Sequence, residues 1–445
     1  MPLDLYLSCV CWSKKVTMDH HRLHNPTSSY RHHQSAYKRE RDDSWRSTDE
    51  NKHLKLNPHH HHHHQHQSGS TQNPVSSRSL STRRELYERD FPVYKQPVEV
   101  GCFSLDSERR FFNDRRQMRY YVEPDRNPNF DLRDGYKHRY VKRDDGVKEK
   151  LDHILSWIVA NRSKHNSSAT TASSRALDAD FVTWRGHLTK LLTTPYETRE
   201  GWLLAVTKFR GTLYISELET EAARREQENR TERHEEMTYW GYKFEQYTCA
   251  DDPHSLPDPS GVVNTNEAFC TVVQTRLADH RLLFSGEVDC RDKDPDAPAA
   301  PACYIELKTS AEICTPKQRS NFHRFKLLKW WAQSFLPGVP RVVAGFRDHE
   351  GVVVSLETFH VSKISHLIKN EYNCWKPTVC MNFCCDFLSF VKHVATEDNP
   401  GVVYLFSWEP RRDVTFSVHR DSHYSFLPQW YIEGMTGSGD SRHQT

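Results

Sequence analysis

Leu282-Leu-Phe-Ser-Gly-Glu287-Val-Asp289-Cys290, a polar Asp/Pro loop over residues 291–301, and then Cys303-Tyr-Ile-Glu306-Leu-Lys308 form the stretch that decides the fold. Both ends carry the aromatic and aliphatic residues that suit a pleated, half-buried surface, and the loop between them is rich in turn formers. Two strands are predicted, Leu282–Cys290 and Cys303–Lys308. Residues two apart on a strand share a face, so Glu287 goes with Asp289 and Glu306 with Lys308. If the strands pair, three carboxylates and one ammonium converge. The apolar residues around them read as buried, and buried acids need partners.

On either side the pattern stays structured. Helical spacing predicts helices over Val147–Ala160 and Leu177–Leu192, separated by a Ser/Thr-rich loop. Alternation across Arg210-Gly211 predicts a hairpin joining Trp202, Leu204 and Val206 to Leu213 and Ile215, and Thr231–Cys249 reads as a helix. A basic helix over Thr315–Phe335 precedes strands at Arg341–Phe346 and Val352–Phe359. A helix at Met381–Val394 and strands at Val402–Trp408 and Val414–Val418 follow. The sequence shows no internal repeat. This order predicts a mixed α/β fold, a single large domain with central mixed β-sheets flanked by helices.

The 445 residues allow about three small domains, or one large domain and a tail. Composition favours the second. Residues 1–90 are about 24% apolar and the remainder roughly 39%, so the deficit lies at the N-terminus. Residues 1–88 hold 13 of the 28 histidines, six of them in the run His59–His64, and read as a disordered His/Ser/Gln-rich tail. The expected catalytic domain is 89–436, with a short disordered C-terminal tail at 437–445. Lys and Arg number 61 against 59 Asp and Glu, a formal charge of +2. That balance excludes a histone-like polybasic binder and leaves nucleic acid to a local groove. No run approaches the 18 apolar residues of a membrane span, and Leu3–Trp12 lacks preceding basic residues, so a soluble chain without a secretory signal is expected. The 12 cysteines show neither a disulfide framework nor paired zinc half-sites, which suits reduced intracellular thiols.

Asp289, Glu306 and Lys308 match the D…E-x-K arrangement of a large class of metal-dependent nucleases. Mg²⁺ is a hard cation that takes carboxylate oxygens and keeps several waters, so clustered acids opposite a phosphodiester bind metal and substrate together. Three carboxylates on one patch repel one another and gain from such a cation. The same alternation also suits a solvated strand face, and the spacing alone does not choose. Glu245, ending Gly241-Tyr-Lys-Phe-Glu245, is a fourth candidate acid or an exposed helical residue. Arg185 suits a phosphate clamp or a structural salt bridge. Arg324, Lys326 and Lys329, interleaved with Phe322, Phe325, Trp330 and Trp331, suit a nucleic-acid channel, or else the aromatics are core.

As an ordered set the motifs resemble the decapping exoribonuclease (DXO) family, from about Phe91 to about Met435. The matching segments are Gly101-Cys-Phe-Ser-Leu-Asp106, Asn129-Phe-Asp-Leu-Arg-Asp-Gly-Tyr136, Trp184-Arg-Gly-His-Leu-Thr-Lys-Leu-Leu192, Gly241-Tyr-Lys-Phe-Glu-Gln-Tyr247, Gly286-Glu-Val-Asp289, Glu306-Leu-Lys-Thr-Ser310 and Lys329-Trp-Trp-Ala-Gln-Ser-Phe-Leu-Pro-Gly338. The resemblance implies a metal-dependent hydrolase of RNA 5′ ends. Such enzymes remove unmethylated guanosine caps and NAD-type caps, release pyrophosphate from 5′-triphosphate RNA and in many cases degrade the body 5′ to 3′. It further implies that Glu245, Glu287, Asp289 and Glu306, with the Leu307 carbonyl, hold Mg²⁺, two ions being expected and Mn²⁺ an alternative. By the same resemblance Arg185, Lys308 and Gln333 meet the RNA 5′ phosphate region, flanked by Trp184 and Gly186. Arg109, Glu149 and Cys270 meet the cap or terminal nucleotide, and Glu287 joins the substrate contacts. The resemblance also implies the nucleus as location, with the cytoplasm second, and no membrane contact is expected. The oligomeric state stays open.

Two other readings remain at this point. A DNA nuclease fits the same acids, since choosing RNA requires 2′-hydroxyl contacts. A catalytically weak RNA-end binder that partners a separate nuclear 5′ to 3′ exonuclease is the reading from a different class. The intact acid set disfavours it, because a pure binder gains nothing from carboxylates beside phosphates.

Overall fold

The structure, a computed structural model, describes residues 78–125, 128–162 and 177–436. The hairpin forms as its alternation requires, Trp202–Phe209 pairing antiparallel with Thr212–Leu218. Its turn residues Arg210 and Gly211 have φ of 49° and 78°, the positive values that match a two-residue turn to the twist of its strands. Among the described residues it lies in a ten-stranded sheet. The order is Ser79–Leu80, Val414–Arg420, Val402–Trp408, Trp202–Phe209, Thr212–Leu218, Phe181–Trp184, His280–Glu287, Ala268–Leu277, Val98–Leu105, Phe111–Phe112. Phe181–Trp184 runs parallel to both its neighbours.

A second, seven-stranded sheet has the order Cys249–Ala250, Tyr120–Tyr121, Cys290–Asp292, Tyr304–Ala311, Arg341–Arg347, Val352–His360, Phe130–Asp131. Tyr304–Ala311 and Arg341–Arg347 are parallel, with Glu306 beside Val342. Parallel neighbours need a long crossover, and the basic helical segment supplies it. Thr315 and Gln318 cap one another at its start, Pro316–Asn321 opens it, a π-turn spans Phe322–Lys326, and Leu327–Phe335 completes it.

The largest core draws on both sheets and on the helices beside them. Ile215 and Phe284 of the first sheet, Val342 and Phe346 of the second, and the helical residues Leu188, Trp331 and Phe383 all belong to it. Trp330 and Trp331 are core residues, so for them the core reading holds and not the channel. Elsewhere on the second sheet, Tyr239, Trp240 and Phe244 of helix Glu232–Thr248 pack on Leu307, Val343 and Val353. This packing sets where the end of that helix falls.

Four expectations change. Leu282–Cys290 is not one strand: His280–Glu287 ends in the first sheet, Val288 and Asp289 carry the chain across, and Cys290–Asp292 joins the second. The break is stabilised locally, because Asp289 accepts from the Leu307 backbone and Val288 donates to the Phe269 carbonyl. Leu177–Leu192 is not one helix either, since Phe181–Trp184 is a buried strand and the helix runs Arg185–Thr193. Its β-branched and aromatic residues are gripped between two parallel neighbours, and that pairing overrides the helical spacing. The first predicted helix begins at Asp152, leaving Val147 exposed. Finally, Ser79–Leu80 pairs with Val414–Thr415, and Leu80 and Tyr87 are fully buried, so residues 78–88 belong to the folded unit and not to a tail. The rest of the expected tail, residues 1–77, and the C-terminal 437–445 lie outside the described residues. Among the described residues no helix is long and apolar enough to cross a membrane.

Candidate functional site

The carboxylates gather where the chain leaves one sheet for the other. Glu287 is the last residue of His280–Glu287, and Asp289 lies in the crossing. Cys290 then pairs with Ile305 and Arg291 with Tyr304. One step further along that register places Asp289 beside Glu306. Glu245 arrives from the last turn of helix Glu232–Thr248.

Glu306 is 2% exposed and is held by two cations. Its Oε2 accepts from Arg185 Nη1 at 3.2 Å and its Oε1 from Lys308 Nζ at 2.5 Å. Burial by itself would raise this carboxyl, but Lys308 and Arg185 hold it below the usual range. Lys308 stays charged in turn, because Glu306 and Asp289 outweigh its burial. Asp289 Oδ2 accepts from Leu307 N at 2.6 Å. Burial, then the Glu306 charge, push Asp289 up to about 7 against the opposing pull of Lys308 and the Leu307 N–H. Glu245 is raised well above the ordinary carboxylate range by burial and by Asp289, with Arg119 acting against them.

Carboxylates crowded until two of them gain proton affinity are the donor set that a hard divalent cation satisfies. Glu245, Glu287, Asp289 and Glu306 could hold such an ion on these chemical grounds. Among the described residues, however, no three His, Cys, Asp or Glu side chains close around one point as a finished metal shell does. Glu306 is turned instead toward Arg185 and Lys308.

Two cavities border the acids and a third adjoins the first of them. The largest, about 830 Å³, is lined by Arg109, Glu149, Trp184, Arg185 and Gly186, together with Cys270 and Glu287. The strand register places Cys270 opposite Glu287. A second, about 360 Å³, is lined by Glu245, Glu287 and Asp289, so Glu287 borders both. A third, about 300 Å³, contains Gln333 and Lys329 and shares Arg185 and Gly186 with the first. The predicted residues thus fall in three adjoining spaces, except Glu306, Leu307 and Lys308, which line none of them and lie on strand Tyr304–Ala311.

Inside the large cavity Glu149 is the best-anchored acid. Arg109 grips it in a fork at 2.9 and 3.1 Å, and Arg143 and His153 approach within 3.3 and 3.2 Å. Burial would raise Glu149, yet His153 and Arg109 bring it down to about 2. Trp184 is fixed by its indole N–H to the Lys150 carbonyl at 2.7 Å. Of the basic crossover, Lys329 borders the third cavity and pairs with Glu197, while Lys326 is tied to Ser310 at 3.1 Å.

Sequence reading missed Gly286 and Arg119. A Cβ at Gly286 would sit 3.0 Å from Arg185 Cβ and Cδ, so the glycine is what lets the arginine cross the strand toward Glu306. A glycine between Ser285 and Glu287, inside a strand, was the available signal. At Gly186, on the wall of the large cavity, a Cβ would meet nothing within 4 Å.

The family described as RAI1 like PD-(D/E)XK nuclease matches residues 95–432. The Decapping and exoribonuclease protein of Bos taurus is 54% identical over 366 residues, covering 82% of this chain and 91% of that protein. The crystal structure of Scheffersomyces stipitis Rai1 in complex with (3′-NADP)⁺ and calcium ion aligns with a TM-score of 0.70 at 25% identity, covering 82% of this chain and 99% of that one. That of Candida albicans Rai1 in complex with pU5-Mn²⁺ aligns with a TM-score of 0.68 at 25% identity, covering 80% and 98%.

Proposed function

The chain belongs to the RAI1-like PD-(D/E)XK nuclease family, and from that premise we propose that it is a metal-dependent hydrolase of RNA 5′ ends. It removes incomplete caps, including unmethylated guanosine and NAD-type caps, releases pyrophosphate from 5′-triphosphate RNA, and degrades RNA 5′ to 3′. Its place is nuclear RNA 5′-end quality control. The observation that carries the reading is the set of crowded acids at the sheet junction, flanked by Arg185 and Lys308 and opening on the large cavity. The name of the bovine relative, and the dinucleotide and oligouridine ligands of the two fungal proteins, support it.

Glu245, Glu287, Asp289 and Glu306, with the Leu307 carbonyl, are the proposed ligands of two divalent ions, Mg²⁺ with Mn²⁺ as alternative. A divalent ion held there would supply Lewis-acid polarisation of the phosphoryl group and a more acidic water. The chain's own cations do the rest. Arg185 offers a planar fork to the 5′ phosphate. Lys308, charged and beside Glu306, orients the water or neutralises charge as it develops. Gln333, reached through the space shared with Arg185, contacts the phosphate region. Arg109, Glu149 and Cys270 line the space for the cap or first nucleotide, and Trp184 and Gly186 shape its wall.

The test is a matched set of RNAs with one body and six ends: unmethylated cap, methylated cap, NAD, triphosphate, monophosphate and hydroxyl. Each is incubated with Mg²⁺ or Mn²⁺, with wild-type protein and with Glu306→Gln. Release of the unmethylated cap or NAD moiety, with loss in the variant by orders of magnitude, is expected. Shortening of the body reports the exonuclease. RNA that binds while no end is removed would instead favour a binder that works through a separate exonuclease.

A further inference from the structure

Arg185 and Lys308 both pair with Glu306, and a different cation faces Glu245. Arg119 Nη1 lies 3.8 Å from Glu245 Oε2, and its Nη2 lies 3.8 Å from Glu267 Oε2. The backbone fixes this arginine. Its carbonyl accepts from Arg291 N at 2.9 Å, two residues beyond Asp289. The next residue, Tyr120, pairs with both Arg291 and Ala250, the latter five residues beyond Glu245. Arg119 is therefore tied to the two chain segments that deliver Asp289 and Glu245. It lines the 360 Å³ cavity together with Glu245, Glu267, Glu287 and Asp289.

We propose that Arg119 is a positioning residue: shared between Glu267 and Glu245, it aims Glu245 at the acid cluster and tempers the negative charge there. The proposal rests on the metal-site reading above. At 3.8 Å both contacts are loose ion pairs and not tight forks, which restrains Glu245 while leaving its oxygens available to a cation. Glu267 is the counterweight that keeps the guanidinium from closing on Glu245.

The test uses the full chain. Mn²⁺ is titrated calorimetrically without RNA, and kcat, KM and melting temperature are measured on 5′-triphosphate RNA, for wild type, Arg119→Gln, Arg119→Lys, Glu267→Gln and Glu306→Gln. In Arg119→Gln, Mn²⁺ binding tightens about threefold because a nearby positive charge is gone. At the same time kcat falls about tenfold with KM within about twofold, the pattern of a group that matters in the transition state. Arg119→Lys recovers most of the loss, and Glu267→Gln weakens Mn²⁺ binding as the guanidinium turns to Glu245. Wild-type binding that Arg119→Gln leaves unchanged, along with kcat, overturns the proposal alone. So does a loss of kcat that Arg119→Lys shares and that tracks a fall in melting temperature. Wild type that binds no Mn²⁺, or binding untouched by Glu306→Gln, overturns the metal-site reading and this proposal with it.

Discussion

Arg185 Nη1 lies 3.2 Å from Glu306 Oε2, and this contact bridges the two sheets at their acids. The arginine begins the helix that follows a strand of the ten-stranded sheet, and the glutamate sits within a strand of the seven-stranded one. Both side chains are buried. A salt bridge and a phosphate clamp are thus not rival descriptions of Arg185. In this structure it is the first, and Arg185 also stands on the cavity wall, where the proposed clamp would act.

Removing one partner of a buried pair costs about 3–5 kcal/mol when the other charge is left bare. Lys308 still covers Glu306, so Arg185→Ala should cost less, about 1–3 kcal/mol. Hydrolysis of capped RNA should fall further than stability does, by about a hundredfold. A double-mutant cycle with Glu306→Gln in urea unfolding should give a coupling of about 1–3 kcal/mol. Additive losses would show that the contact holds nothing together.

Gly286→Ala places a methyl group against the Arg185 side chain, 3.0 Å from two of its carbons. The arginine has to move, and the strand around it does not. Activity should drop about tenfold or more, with a stability loss of about 1–3 kcal/mol, the range of an overpacked site. An alanine variant with unchanged kcat/KM would mean that the path of Arg185 over the strand is irrelevant to turnover.

Truncation should separate two boundaries. Deleting residues 1–77 should leave catalysis and melting temperature nearly intact. Deleting residues 1–88 removes Leu80 and Tyr87 from the core, and takes away the Tyr87 carbonyl that receives Asn382 Nδ2 at 3.1 Å. That form should lose at least about 3 kcal/mol, the burial of two large side chains. Equal melting temperatures for both forms would place residues 78–88 outside the cooperative unit.

His280 gives the stability a pH dependence away from the acids. It is 4% exposed and bonded to Ser389 at 2.9 Å. Burial and then Lys392 bring it down to about 4, against the smaller opposite pull of Asp180. The folded state then binds fewer protons than the unfolded state between about pH 4 and 6.5, so stability is full above 6.5 and lost as pH falls. Between pH 6.5 and 5 this one group accounts for about 2 kcal/mol. Urea midpoints of wild type and His280→Gln should converge as the pH is lowered through that window. Parallel curves would show that His280 titrates normally in the folded state.

Much of the architecture was legible in local residue patterns. Strand alternation and helical spacing are local, so the Arg210-Gly211 hairpin, the helix after Thr231, the crossover after Thr315 and the C-terminal strands all fell where the residues put them. The spacing of Asp289, Glu306 and Lys308 marked them as candidates without choosing between a metal site and a solvated strand face. Tertiary structure decided the rest. Whether Leu282–Cys290 is one strand or two depends on Leu307, eighteen residues beyond Asp289, donating its N–H to that carboxylate. Whether Phe181–Trp184 is helix or strand depends on two distant strands that clasp it. Which cation stands against which acid depends on the sheets meeting there: Arg185 on Glu306 and Arg119 facing Glu245 are contacts between residues more than a hundred positions apart. Local preference sets which elements form, but the pairing of charges in a buried junction is fixed by long-range packing, and no local pattern of residues encodes it.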